Sequence, residues 1–312
     1  MFLSIKKPLL ISVSLNNLCG LNCIFCKKDL FAREMDDRVF KKFLEYIIKE
    51  RNLVCIFSGG EPFLDPRLER ILNICKNIEI PTSVDTNCNW ERIPNTVSKC
   101  SQIRVKILSL EGEKHDMLVG KRGHYEKVIK FINWLNQNFS GSKVLLYPVL
   151  SQNLNEIEQI VDFSIKIGFY CNLLFYPRDF CTNTMKKEEF FSLITKLEEL
   201  IEIYPKKIFL DFPIAGLKKE SLINICPAMV IGAHIDVDGF LKPCKFSSSI
   251  IGNIKELSIQ ELWNRKRELV ASLNSFCSKC NFYFNCGGGC LANKTKRGVD
   301  YYCPKNEGDD QS

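Results

Sequence analysis

The strongest constraint on what this chain can fold into is an alternation of two hydrophobic periods, repeated six times between residues 9 and 204. Apolar, β-rich runs stand at 9–15, 53–58, 80–86, 103–110, 143–150 and 170–176. Helical patterns lie between them at 36–50, 65–76, 125–139 and 155–168, with a weaker one near 90–100. In the first of these, Phe40, Phe43, Leu44 and Ile47 share one helical face. The second opens on Asp65 as N-cap with Pro66 at the first helical position, and the last closes at Gly168. Strand and helix in this order predict a parallel sheet with right-handed crossovers. An α/β fold of either kind fits, an open six-unit barrel or a doubly wound sheet. In both, ligands sit at the carboxyl ends of the strands.

Directly after the first strand, at that end, comes "LCGLNCIFC" with Cys19, Cys23 and Cys26. Three thiolates on one tight loop can hold three irons of a four-iron cluster and leave the fourth open, because such a cluster takes four ligands. A zinc loop completed by a distant ligand is the plainer alternative, and three chance cysteines the plainest. The chain has 16 cysteines in 312 residues. Lys6 and Lys7 follow the first apolar residues, and no small-residue cleavage site comes after. Without a signal peptide, a chain this long points to metal or redox chemistry and not to a disulfide scaffold. No stretch of about 18 uncharged apolar residues exists, so no membrane span is expected and a cytoplasmic location is. The net charge of +7 is spread without a basic block. That suits an anionic cofactor or substrate better than nucleic acid.

After the second strand comes "SGGEP", Ser58 to Pro62. Its two glycines leave backbone groups bare for close approach by a ligand. A glycine pair at a turn is also common for purely structural reasons. Residues 205–225 read as a connector with one apolar run, "KKIFLDF". The character then changes. Residues 226–312 hold seven cysteines, glycines and turns. They include a hairpin pattern turning at Asp238-Gly239 and one helical pattern at 258–273. So small an apolar content needs metal staples. Three domains are expected: 1–204, a connector at 205–225, and 226–312.

Together, the Cys19-x3-Cys23-x2-Cys26 loop and the Gly-Gly-Glu-Pro stretch resemble the radical S-adenosylmethionine (radical SAM) superfamily over residues 9 to about 176. The resemblance implies a partial, TIM-like (β/α)6 barrel. It implies that Cys19, Cys23 and Cys26 hold a 4Fe–4S cluster, with S-adenosylmethionine chelating the open iron. By the same resemblance Phe25 lies by the adenine, and Gly59, Gly60 and Glu61 contact the methionine amino group. Asn87 in "DTN" and Ser109 in "SLEG" match two weaker family positions, the serine near the ribose. Cys88 replaces a glycine of the third-strand motif. Val119 stands where an arginine is usual, and Arg122 is the substitute candidate for the cofactor carboxylate.

The later cysteines run Cys226-x12-Gly239-x4-Cys244, then Cys277-x2-Cys280-x5-Cys286-x3-Cys290, then Cys303. Paired thiols at such spacing also permit a zinc ribbon. The complete order resembles the SPASM domain, which holds auxiliary 4Fe–4S clusters. The resemblance implies one auxiliary cluster on Cys226, Cys244 and Cys290 and another on Cys277, Cys280, Cys286 and Cys303. That makes three clusters in all. Residues 227–243 contain no cysteine, so His234, Asp236, Asp238, water or substrate is expected to complete the first auxiliary site.

Cys55, Cys75 and Cys171 sit among apolar residues and read as inert buried thiols. Cys88 and Cys181, at strand ends, are candidate hydrogen-atom donors. In "YPRD", Asp179 is a candidate base and Arg178 an anion clamp, against the plainer reading of a solvated loop.

The resemblance implies an enzyme in which a 5′-deoxyadenosyl radical removes a hydrogen atom from the substrate. Modification of a peptide or protein is expected first: crosslinking, oxidation or epimerisation. The alternative is a small-molecule dehydrogenase or epimerase acting on a sugar or antibiotic precursor. A zinc-stapled nucleic-acid-binding protein is the third. An external electron donor such as flavodoxin or ferredoxin is implied. So is a separate leader-peptide-binding protein, because the barrel pattern begins near residue 9.

Overall fold

The computed structural model describes residues 5–26, 33–177, 180–181, 185–211, 226–273, 276–281 and 283–305. The strands are β1 (Leu10–Asn16), β2 (Val54–Gly59), β3 (Thr82–Thr86), β4 (Gln102–Lys106), β5 (Ser142–Val149), β6 (Tyr170–Phe175), β7 (Ile208–Leu210), β8 (Gly232–Ile235), β9 (Phe240–Lys242) and β10 (Gly252–Asn253). The helices are α1 (Asp37–Glu50), α2 (Leu68–Asn77), α3 (Gly112–Val119), α4 (His124–Asn138), α5 (Ile157–Lys166), α6 (Lys187–Ile203), α7 (Ile259–Asn264), α8 (Lys266–Leu273) and α9 (Tyr283–Cys286).

Strands β1 to β7 pair parallel in sequence order. A doubly wound sheet reverses its strand order at a switch point. Here there is none, and the sheet is a partial barrel. Its strands alternate faces. On β4, Ile103 and Val105 enter the main core under the helices, while Arg104 lines the lumen.

Local chemistry moves several expected boundaries. Asp65 takes the Arg67 N–H in the manner of an N-cap, as expected, and its carboxylate also holds the Arg67 guanidinium; the chain turns through Pro66 and Arg67, and regular helix begins at Leu68. β4 ends at Lys106, because the Leu108 N–H goes to His115 Nδ1 and the Leu110 N–H to Glu156. The weak pattern near 90–100 is a 3-10 turn, Asn95–Lys99. The helix expected at 258–273 is two, α7 and α8, broken at Arg265. The break falls where Trp263 Nε1 and Lys266 Nζ both donate to the Ile5 carbonyl.

The connector contributes β7, which pairs with β6; residues 212–225 lie outside the described set. The hairpin turning at Asp238-Gly239 forms as β8 and β9. Asp236 accepts the N–H groups of Asp238 and Phe240, and Gly239 takes φ 89°. Beyond the expectation, β8 also pairs parallel with β1, so the hairpin, with β10 beside β9, extends the barrel sheet to ten strands. Among the described residues no helix is long and apolar enough to cross a membrane.

Candidate active site and metal centres

The loop carrying Cys19, Cys23 and Cys26 is pinned by backbone. The N–H groups of Asn22 and Ile24 donate to the carbonyls of Val119 and Leu118, each at 3.0 Å. Gly120, at φ 66°, allows this approach; a Cβ there would meet the Asn22 carbonyl oxygen at 2.6 Å. Val119 is therefore wall, buried beside the loop with Leu118 and Phe25. Arg122 is exposed. Its neighbour Lys121 reaches inward instead, to Asn89 Oδ1 at 2.6 Å, and Asn89 in turn donates to the Cys19 carbonyl.

Asn87 joins the three motifs. Its Nδ2 donates to Cys19 Sγ at 3.0 Å and to the Gly60 carbonyl at 3.1 Å, and its N–H to Glu61 Oε2 at 2.8 Å. Glu61 is fully buried. Its carboxylate also accepts from Thr86 Oγ1 and the Phe63 N–H. Burial pushes that carboxyl up to about 7 against these donors. The Glu61 side chain thus shapes the loop from inside. The chain around Gly59 and Gly60 lies so close to the carbonyls of Asn16 and Leu18 that a Cβ at either would collide with them. Ser109 is likewise internal: its Oγ donates to Glu156 Oε2 at 2.7 Å, and Lys114 pairs with Glu156 at 2.5 Å. Glu156 carried no signal beyond a lone acid in a helical pattern.

An aromatic wall flanks the loop. Phe25 stacks on Tyr176 with centroids 4.6 Å apart and planes at 21°. Tyr176 continues the stack to Phe180 and meets Phe246 edge-on. Burial pushes the Tyr176 hydroxyl well up, helped by Cys23, Cys26 and Cys181. Cys181 belongs to this wall, whereas Cys88 packs in the main core at φ 63°. Arg178 and Asp179 lie outside the described residues. Cys55, Cys75 and Cys171 are buried in the core.

Between the wall and the C-terminal region lies a cavity of about 590 Å³, lined by Ser12, Asp85, Arg104, Lys245 and the thiol-bearing Cys226, Cys244 and Cys290 among others. Arg104 grips Asp85 through two bonds of 2.6 and 2.9 Å and lies 3.5 Å from Asp211. Burial draws the Lys245 ammonium down to about 8, and repulsion from Lys106 adds to it. The signal missed in the sequence was the pair of charges two positions apart, Arg104 and Lys106, in the mostly apolar "IRVKILSL".

The C-terminal thiols form two groups. Cys226, Cys244 and Cys290 act on one another, and burial pushes Cys226 up to about 12 and Cys290 well up. Cys286 feels Cys277, Cys303 and Cys280, and Cys303 feels Cys277 and Cys280. Asp300 lies between the groups. It is fully buried and accepts from the Cys290 N–H at 2.6 Å, Asn293 Nδ2 and the Tyr302 N–H. The three residues named for completing the first group are otherwise engaged. His234 lies between the hydroxyls of Ser12 and Ser14. Asp236 holds its turn, and Asp238 pairs with Arg33.

All sixteen cysteines are free thiols. Among the described residues no three His, Cys, Asp or Glu side chains converge on a single-ion geometry. The fit to iron–sulfur clusters therefore rests on the donor set. It is all sulfur, grouped in threes and fours, and at Cys226, Cys244, Cys286, Cys290 and Cys303 burial opposes thiolate formation without a metal's charge. On that test the residues fit the group.

Family models match two stretches: the radical SAM superfamily over residues 13–164, and an iron–sulfur cluster-binding (SPASM) domain over 226–281. A cysteine-type anaerobic sulfatase-maturating enzyme of Clostridium novyi is 27% identical over 88% of this chain and 86% of its own. An AdoMet-dependent heme synthase of Methanosarcina barkeri is 22% identical over 94% of both. The solved structure of Streptococcus suis SuiB bound to S-adenosylmethionine aligns with TM-score 0.74 at 17% identity, over 96% of this chain and 78% of that one. SuiB bound to its precursor peptide SuiA aligns with TM-score 0.73 at 17% identity, over 96% and 76%.

Proposed function

Because the chain belongs to the radical SAM superfamily and carries a SPASM iron–sulfur domain, we propose that it is a peptide- or protein-modifying enzyme working in the cavity between the three-cysteine loop and the Cys226/Cys244/Cys290 group. The observation that carries this reading is the grouping of ten thiols as three, three and four, with Cys226, Cys244 and Cys290 lining the cavity and the three loop thiols packed in the cluster that Phe246, another lining residue, also joins. Three clusters fit that grouping. When bound, the loop cluster and S-adenosylmethionine supply hydrogen-atom abstraction from an unreactive C–H bond; cofactors carry such chemistry and the protein positions it.

The chain's own residues do the rest. Phe25 and Tyr176 offer a flat apolar face for the adenine and keep water from it. The Gly59-Gly60 turn, packed against the Asn16 and Leu18 carbonyls, sets the backbone path along which the methionine end would lie. Asn87 donates to Cys19 Sγ, and such bonds to ligand sulfur set a cluster's potential. Cys181 stays the better-placed hydrogen-atom donor of the two cysteines named for that role. Likeness to the sulfatase-maturating enzyme and to SuiB supports a peptide substrate. Likeness to the heme synthase over 94% of both chains supports the second reading, a small-molecule substrate.

Anaerobically reconstituted protein with dithionite is expected to release 5′-deoxyadenosine, and Cys23→Ala to abolish it. Iron should reach about twelve per chain with matching sulfide; zinc without sulfide would overturn the reading. Mass spectrometry in deuterated buffer then separates outcomes on a candidate peptide: one deuterium gained for epimerisation, two mass units lost for crosslinking or dehydrogenation.

A further inference from the structure

Asn89 has no part in the chemistry above, yet three groups around the thiol loop meet on it. Its N–H donates to Asn87 Oδ1 at 2.9 Å and so fixes the amide whose Nδ2 reaches Cys19 Sγ. Its own Nδ2 donates to the Cys19 carbonyl, and its Oδ1 accepts from Lys121 Nζ at 2.6 Å. Gly20, at φ 63°, leaves room for this approach; a Cβ there would meet Asn89 Nδ2 at 2.6 Å. The Lys121 N–H closes the end of α3 on the Asp116 carbonyl at 3.0 Å, just after the Leu118 and Val119 carbonyls that pin the loop. Lys121 is half-buried, and among the described residues it has no ion pair.

The other charges near this network are accounted for by name. Residues 18–26 carry none. The Asp116 carboxylate is taken up by the N–H groups of Gly123 and Tyr125. Burial holds His124 down to about 4, in its neutral form at neutral pH. Arg122, Glu91 and Arg92 are exposed, and Lys27, Lys28 and Asp29 lie outside the described residues. Glu61 accepts the Asn87 N–H, and Lys106 acts on Glu61 in turn. Asn87 thus has an acid on one side and, through Asn89, an ammonium on the other. A thiolate-held cluster gains a negative charge with each electron, and its potential follows net charge, hydrogen bonds to sulfur and exposure. A neighbouring acid opposes that gain and a fixed cation favours it, more strongly inside a protein than in water.

We propose that Lys121, acting through Asn89, is a positioning residue that sets a positive charge behind Cys19 and so raises the potential at which the loop cluster accepts an electron. This rests on the reading of the loop as a cluster site. The electron comes from the external reductant, and no bond forms or breaks. The plainer role, a tie between the turn after α3 and the loop, needs only a hydrogen-bond donor at this position, and the charge is what separates the two.

Redox titration of the reconstituted full chain, followed by electron paramagnetic resonance with dithionite as reductant, tests this without a substrate. The loop cluster is the one whose signal changes shape when S-adenosylmethionine is added; its midpoint is then read without the cofactor. In Lys121→Gln, a neutral side chain that still donates, the equilibrium constant for reduction should fall about tenfold, or about 59 mV for one electron. Lys121→Met, a second neutral variant without the donor, should fall at least as far. Lys121→Arg should keep the wild-type midpoint. Arg122→Gln loses the same charge at the exposed neighbour and should change the constant less than about twofold, because solvent ions screen it. An unmoved midpoint in both neutral variants overturns the inference. So does an equal fall in Lys121→Arg, which makes the lysine a packing tie, or in Arg122→Gln, which makes the effect a diffuse surface field. Absence of any signal responsive to S-adenosylmethionine in the wild-type protein overturns the reading of the loop itself; a responsive signal with an unmoved midpoint overturns the role of Lys121 alone.

Discussion

The two thiol-bearing regions are built on opposite principles. On the barrel side the thiol loop rides on a fold that stands without it. Its backbone is pinned to Leu118 and Val119, its Cys19 to Asn87, and beneath it lies a continuous apolar core. On the C-terminal side, residues 276–305 have one four-residue helix and one short 3-10 turn. There the thiols themselves are the centre, with Asp300 tying the chain around them. On the proposed reading, iron and sulfide would be held by a finished fold at one end and would hold the fold together at the other.

Removing iron should break the comparison most visibly. After chelation, amide exchange in 276–305 should rise to near unprotected rates, while β1 to β6 keep their protection; loss of protection in both would make the barrel loop structural too. Gly60→Ala comes next, because its Cβ would enter the Leu18 carbonyl. S-adenosylmethionine binding should weaken by tenfold or more, about 1.4 kcal/mol, with exchange in 276–305 unchanged. Asp300→Asn should have a smaller, local effect. The amide sets a donor against three donors, leaving at least one unmet, and costs about 1–3 kcal/mol, seen as faster exchange around Cys290 and Tyr302.

The smallest effect concerns the barrel alone. His115 and His124 stack and bond at 3.0 Å. Burial holds both down to about 4 from 6.5, with the neighbouring imidazole and Lys121 adding to it, and Asp116 opposing. The unfolded chain therefore binds more protons between about 6.5 and 4. The pair's contribution is full above that window and is lost as pH falls through it. The urea midpoint of the barrel, followed by tryptophan fluorescence, should drop across the window, and His124→Asn should flatten the drop.

What could be read from the sequence was what repeats over short range. The six strands β1 to β6 and the helices α1, α2, α4 and α5 follow from periodicity, and the thiol loop and Gly59-Gly60 from local spacing. Long-range pairing was hidden: nothing in "AHID" announces that β8 lies against β1, and "KKIFLDF" looked like linker before it became β7. Side-chain commitments were hidden as well. Glu61 and Ser109 carry the right residue types at the right places, yet both side chains turn inward to Thr86 and Glu156. The resemblance could not foresee that Arg122 would be exposed, since it depended on a turn closed by Lys121 and Asn89. The cavity lining was hidden for the same reason: Arg104 comes from β4 and Lys245 from the turn after β9, far apart in sequence.

The pairing of β8 with β1 also bears on how the chain is made. β1 leaves the ribosome well before one of its two neighbours, which is more than two hundred residues behind it. At about 5–20 residues per second, β1 keeps an open edge for roughly ten to forty seconds. An unpaired edge is a template for the wrong partner. The interval between the first strand and the hairpin is thus the period when a nascent chain most needs protection, before its sheet is closed by the region that carries the last cysteines.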